Sequence, residues 1–209
     1  MNNMNVTDEF LSNQRLLVVS PHSDDEAFGC AGTMARIKEL GGEVYVILMT
    51  IGDLEQFKEE DQMVDSSTRR QEFEAEMEYL GVDDFDVIFE DDELHLRLDS
   101  LSRRDLIAEI EQESPLSLQK LEPTMLMLPS ISYNQDHEAT FRAGFTAARP
   151  GLEDVKHMPP YVLSYDNPTH LWNVEREKFH PNFYVDISEH WETKVEALEK
   201  HDSQLRPSE

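Results

Sequence analysis

The chain has 209 residues, 39% of them hydrophobic and 9% aromatic, enough to bury the core of a globular domain. Forty-four Asp and Glu against eighteen Lys and Arg leave a formal net charge of -26, a field that repels nucleic acid and anionic membrane surfaces. No nucleic-acid partner is therefore expected. The charge also suits a high-salt cytoplasm, although a solvated acidic surface is the plainer reading. The N-terminus, "MNNMNVTDEF", lacks the basic start and apolar block of a signal peptide. No run is long enough to cross a bilayer, so membrane insertion is not expected. Cys30 is the single cysteine, which excludes an internal disulfide framework. The expectation is one domain over residues 1–209, cytoplasmic, of unreadable oligomeric state.

Taken in chain order, strands and helices alternate. "RLLVVS" (15–20) reads as a buried strand stopped by Pro21, and Ala27 to Leu40 as a helix closed by Gly41 and Gly42. "EVYVILMT" (43–50) is a second strand; the acidic stretch 52–65 has no period and reads as a loop. Ser66 to Leu80 carries Phe73, Met77 and Leu80 at helical spacing, with Gly81 as the stop. "FDVIF" (85–89) predicts a third strand, Leu101 to Gln112 a helix, "TMLMLPS" (124–130) a fourth strand and Glu138 to Ala148 another helix. "YVLSYD" (161–166) and "FYVDIS" (183–188) predict two later strands, and Glu189 to Gln204 a final helix.

This alternation implies an α/β fold: a Rossmann-like three-layer sandwich with a mainly parallel sheet. In such folds the functional crevice lies beyond the carboxyl ends of the strands. Four such places carry His22-Ser23-Asp24-Asp25-Glu26, Gly52-Asp53, Glu90-Asp91-Asp92-Glu93 and Asn134-Gln135-Asp136-His137. His22 and Asp25 share one turn, and His137 arrives from another strand. Together they make a two-histidine, one-carboxylate set that suits a divalent metal with a position left for water. Asp24 is then placed to take a proton from that water. The competing reading is structural: Ser23, Asp24 or Asp25 caps the next helix, and His137 is an ordinary polar histidine. Gly29 and Gly32 lack phosphate-loop spacing and read as close packing of the first helix.

"PHSDDEAFGCAGT" (21–33) resembles the His-Pro-Asp-Asp-Glu signature, with its following glycines and threonine, of the PIG-L/LmbE-like family of metal-dependent N-acetylglucosaminyl deacetylases. "RRQEFEAEMEYLG" (69–81), "NQDHEAT" (134–140) and "VDIS…KVEALEKHDSQ" (185–204) are similar to three further motifs of that family, in the same order. The resemblance implies metal ligands His22, Asp25 and His137, usually with Zn2+, and Asp24 as general base and then acid. It implies attack on an acetamido carbonyl, giving acetate and a free amino sugar. Arg69 matches a substrate-contacting arginine, or else forms a helix-surface salt bridge; Asp91 falls near a sugar-contacting acid, or else belongs to a solvated turn. Two positions depart from the family: Ser23 replaces a common proline, and Asn134 a histidine held to stabilise the oxyanion. The Asn134 amide can donate a hydrogen bond but carries no charge. Asp136 is expected to orient a ligand histidine or cap a helix, and Glu26 to start the helix or support the surrounding shell.

The substrate implied is a small-molecule or oligosaccharide amino sugar, with Asn167, His170 and Trp172 as candidate sugar contacts. A catalytically silent sugar-binding module and an amidase acting on a different bond are the alternatives.

Overall fold

The computed structural model describes residues 6–55, 63–152, 155–166 and 181–205. Asn167, His170 and Trp172 lie outside the described residues. In chain order the elements are α1 (Asp8–Ser12), β1 (Arg15–Ser20), α2 (Asp25–Gly29), α3 (Ala31–Glu39), β2 (Glu43–Ile51), β3 (Leu54–Glu55) and β4 (Met63–Val64). Then follow α4 (Ser66–Leu80), β5 (Asp84–Glu90), α5 (Arg103–Ala108), α6 (Leu118–Leu121), β6 (Met125–Pro129), α7 (Gln135–Ala147), β7 (Tyr161–Tyr165) and α8 (Trp191–Leu198).

β1 is a continuous apolar run because it is covered on both faces. Leu16 and Val18 point into a core shared with Met34, Ile37, Phe73 and Met77 of α3 and α4. Leu17 and Val19 point into a second core with Leu106, Ile110, Leu126 and Ala143 on the side of α5 and α7. Each fully buried aliphatic side chain contributes about 1.5–3 kcal/mol, so period-two alternation across the sheet holds three layers together.

The five-stranded sheet runs β5-β2-β1-β6-β7, every pair parallel. The chain leaves β1 for β2 on one side and later returns to β6 on the other, so β1 and β6 flank the switch point where a parallel sheet opens its crevice. His22 follows β1 and Asn134 to His137 follow β6. The two segments are therefore neighbours although 114 residues separate His22 from Asp136.

Several boundaries differ from the sequence expectation for identifiable reasons. "FYVDIS" is not a strand: residues 181–187 pair with no ladder. Phe183 and Val185 pack on the first core and Ile187 on Gly32, which produces a strand-like alternation without backbone pairing. The first predicted helix begins earlier, at Asp25, and breaks at Cys30 (φ -123°) into α2 and α3. The final helix is shorter, ending at Leu198, with turns carrying the chain to Gln204. The stretch read as a loop contains the small antiparallel β3–β4 pair. Gly81 adopts φ +66° and ends α4 in the left-handed conformation that glycine favours.

Gly29 packs against the sheet as expected. A Cβ there would lie 2.2 Å from Tyr165 Cδ2, on a ring pinned by its hydroxyl to the Val19 carbonyl (3.1 Å). Gly29→Ala should therefore destabilise the protein by about 1–3 kcal/mol, read as a lower urea midpoint with unchanged slope. An unaltered midpoint would mean that this contact is loose.

Candidate metal centre at the strand ends

β1 ends at Ser20, and a tight turn brings the Asp24 and Asp25 amides back to the His22 carbonyl (3.0 and 3.4 Å). The turn places the His22 and Asp25 side chains side by side. His22 Nδ1 lies 3.2 Å from Asp25 Oδ2, and His137 Nε2, in the first turn of α7, lies 3.0 Å from the same oxygen. All three residues are at least nine-tenths buried, and their donor atoms lie within 4.8 Å of one another.

The other edge of His22 is held by Asp136. Asp136 Oδ2 is 3.0 Å from His22 Nε2, while Oδ1 accepts the Leu98 amide (2.8 Å). With Nε2 committed to a carboxylate, Nδ1 is the nitrogen left to face Asp25. Asp136 does not cap α7. That job belongs to Asn134, whose Oδ1 accepts the Asp136 amide (2.9 Å) and whose NH2 end is thereby turned away from the helix.

Electrostatics follow from this crowding. Burial opposes a charged His22, yet its bonds to Asp136 and Asp25 outweigh burial and raise its pKa to about 9. Burial likewise opposes the Asp25 carboxylate, but hydrogen bonds to His137 and His22 prevail and hold it below the usual range. Asp24 is pushed the other way, first by burial and then by the Asp25 charge beside it. Asp24 occupies the N-cap position of α2 without making a side-chain cap, so helix capping does not account for this carboxylate.

Arg69 is neither a surface ion pair nor solvent-facing. It is buried on α4, and its Nη1 donates to the Gly52 carbonyl (2.9 Å) and to His95 Nε2 (2.6 Å). Sequence reasoning missed His95. Its ring stands edge-on to His22, with centroids 5.4 Å apart. Burial, with Arg69 and His22 nearby, depresses its pKa to about 3, so it is a neutral imidazole whose Nε2 accepts from Arg69. The structure does not bring Asp91 to the cluster. Asp91 is exposed, and its Oδ1 accepts the Glu93 amide in the turn that presents His95. The available signal was a histidine two residues past the run of acids, Glu90 to Glu93, at the end of β5.

The donor set passes a simple test for a divalent cation. Two imidazole nitrogens and a carboxylate converge in a buried pocket, and a carboxylate orients one imidazole from behind, as metal-binding histidines require. Fold and site together define an α/β protein with a metal-competent cluster at the switch point of a parallel sheet. The family model described as GlcNAc-PI de-N-acetylase, PIG-L, matches residues 17–148, and the chain belongs to that family. It is 27% identical over 203 residues to the diacetylchitobiose deacetylase of Thermococcus kodakarensis, covering 96% of this chain and 73% of that protein. Among solved structures it is similar to the N,N'-diacetylchitobiose deacetylase of Pyrococcus horikoshii, with TM-score 0.66 and 22% identity over 98% of this chain and 75% of that one. It is equally similar in fold to GalB, a 4-carboxy-2-hydroxymuconate hydratase of Pseudomonas putida, with TM-score 0.66 and 21% identity over 90% and 79% of the two chains. Among the described residues no helix is long and apolar enough to cross a membrane.

Asp136→Asn removes the anionic partner of His22 Nε2 while retaining an oxygen for the Leu98 amide. Divalent-metal affinity, measured by chelator competition, should fall about 10–100-fold. Unchanged affinity would show that His22 needs no carboxylate to orient it.

Proposed function

We propose that the protein is a zinc-dependent N-deacetylase that removes the acetyl group from an N-acetylglucosamine-type sugar or its conjugate. The observation that carries this reading is the division of labour within one turn. Asp25 is committed to two histidines, while the adjacent Asp24 is committed to neither a histidine nor a helix cap. Family membership and the diacetylchitobiose deacetylases among its relatives support the choice of an acetamido sugar.

His22 through Nδ1, Asp25 through its carboxylate and His137 through Nε2 would hold the cation. When bound, that cation supplies Lewis-acid chemistry, acidifying a water and polarising the amide carbonyl. Asp24 takes a proton from the attacking water as its oxygen bonds to the acetyl carbon. The carbon–nitrogen bond then breaks, and Asp24 returns the proton to the departing nitrogen, leaving acetate and a free amine. Its partly desolvated carboxyl, made more basic by burial and by the Asp25 charge, suits both halves of that exchange. Asn134 donates from its NH2 end to the carbonyl oxygen as negative charge develops there. Asp136 is a positioning residue acting through His22, and Arg69 positions the Gly52 and His95 edge of the cleft instead of lying open to solvent.

The net charge of -26 disfavours a strongly anionic nucleotide sugar and favours a neutral or cationic glycan. GalB shows that the same fold accommodates a hydratase, so hydration of a carbon–carbon double bond is the reading to separate from amide hydrolysis. Acetate release across a panel of N-acetylated mono- and oligosaccharides makes that separation. The proposal expects release from at least one glucosamine derivative by the zinc-loaded protein. Asp24→Asn should retain its metal and lose about 10²–10⁴ in turnover. Full activity in that variant would remove Asp24 from the chemistry.

A further inference from the structure

Behind the catalytic turn, three side chains converge that the proposed chemistry does not use. Glu26 comes from the first turn of α2, Glu76 from α4 and His201 from the turn after α8. Glu26 and Glu76 are fully buried, and His201 is only 2% exposed. His201 Nε2 lies 2.8 Å from Glu76 Oε2, and one donor atom from each of the three residues lies within 4.8 Å of the others. Ser20 Oγ hydrogen-bonds Glu26 Oε2. Among the described residues, neither Oε1 of Glu26 nor Oε1 of Glu76 receives a hydrogen bond from an N–H or hydroxyl donor, and the two carboxyl groups meet each other.

Two carboxyls withdrawn from water stay ionised only where positive charge meets them. His201 supplies one unit at most, whereas a doubly charged ion between the carboxylates neutralises both. The arrangement repeats that of the first cluster. An imidazole nitrogen lies close to a carboxylate oxygen, 3.0 Å for His137 and Asp25 and 2.8 Å for His201 and Glu76, with a third buried ligand beside them. We propose that Glu26, Glu76 and His201 form a second divalent-cation site, structural in role, that fastens the C-terminal turn to α2 and α4.

Two carboxylates and one imidazole suit Mn2+ or Zn2+. His201 reaches the cluster from the last described turn, so the ion binds as that turn docks and the two events are linked. Neighbouring contacts make the same join: Ser203 donates to Glu72 through its amide (2.8 Å) and hydroxyl (2.6 Å), and Lys194 Nζ to the Phe28 carbonyl (2.7 Å). The cation would complete a seam already built from both sides.

Metal content separates the two sites. Full-length protein is saturated with Mn2+ or Zn2+, passed over a chelating resin to remove loosely held ions, and assayed by plasma mass spectrometry. The proposal expects about two ions per chain in the wild type, and about one in each of His137→Ala, Glu76→Gln and His201→Ala. Circular dichroism verifies that each variant is folded. A second readout needs no change in the cluster: in His137→Ala, added Mn2+ should slow amide hydrogen exchange in residues 199–205 by about tenfold. About one ion in the wild type, lost in His137→Ala, overturns the proposal and leaves a carboxyl pair sharing a proton. Two ions retained by folded Glu76→Gln overturn it too, assigning the extra ion to the acidic surface, as does exchange indifferent to Mn2+.

Discussion

The structure turns on one carboxylate oxygen. Asp25 Oδ2 sits within 3.2 Å of two imidazole nitrogens that belong to different strand ends, so β1 and β6 must be adjacent and in register for the site to exist. The switch in strand order around β1 secures this. Each flanking helix begins at the site, α2 with Asp25 and α7 two residues before His137. Buried anionic oxygen at that point is costly unless paired, and the histidines pair it. A cation held by the three residues, as proposed, would offset that cost further.

The helix α4 transmits support to this centre from one face. Arg69, Glu72 and Glu76 are spaced three and four residues apart, and each reaches a different part of the surroundings. Arg69 ties the end of β2 to His95, Glu72 holds Ser203, and Glu76 holds His201. The C-terminal motif thereby gains a physical meaning: its histidine and serine are clasps on α4, and its lysine is a clasp on α2.

Much of this was legible in the sequence, for reasons that can be named. The apolar runs of β1, β2 and β6 are continuous because both sheet faces are covered, and Gly81 ends α4 where only a left-handed residue fits. His22, Asp25 and His137 could be grouped because the strand-end rule predicts convergence without knowing strand order. "FYVDIS" misled because Phe183, Val185 and Ile187 alternate onto a core without pairing to a strand, and periodicity reports burial, not hydrogen bonding. His95 and the Glu26–Glu76–His201 cluster were hidden for a different reason. Their partners are distant in sequence and look, residue by residue, like ordinary helix or turn polarity. Asp91 lies exposed with its side chain closing a turn, and His95 is the residue of that turn that faces inward.

The acidic turn after β1 makes sense if it is charge arranged around a divalent ion, and anomalous X-ray diffraction from crystals of the zinc-loaded protein tests that most directly. Data collected above and below the zinc edge should show a strong anomalous peak enclosed by His22, Asp25 and His137, with Asp24 beside it and outside its coordination shell. Zinc-saturated crystals with no peak among those three residues would contradict the account at its centre.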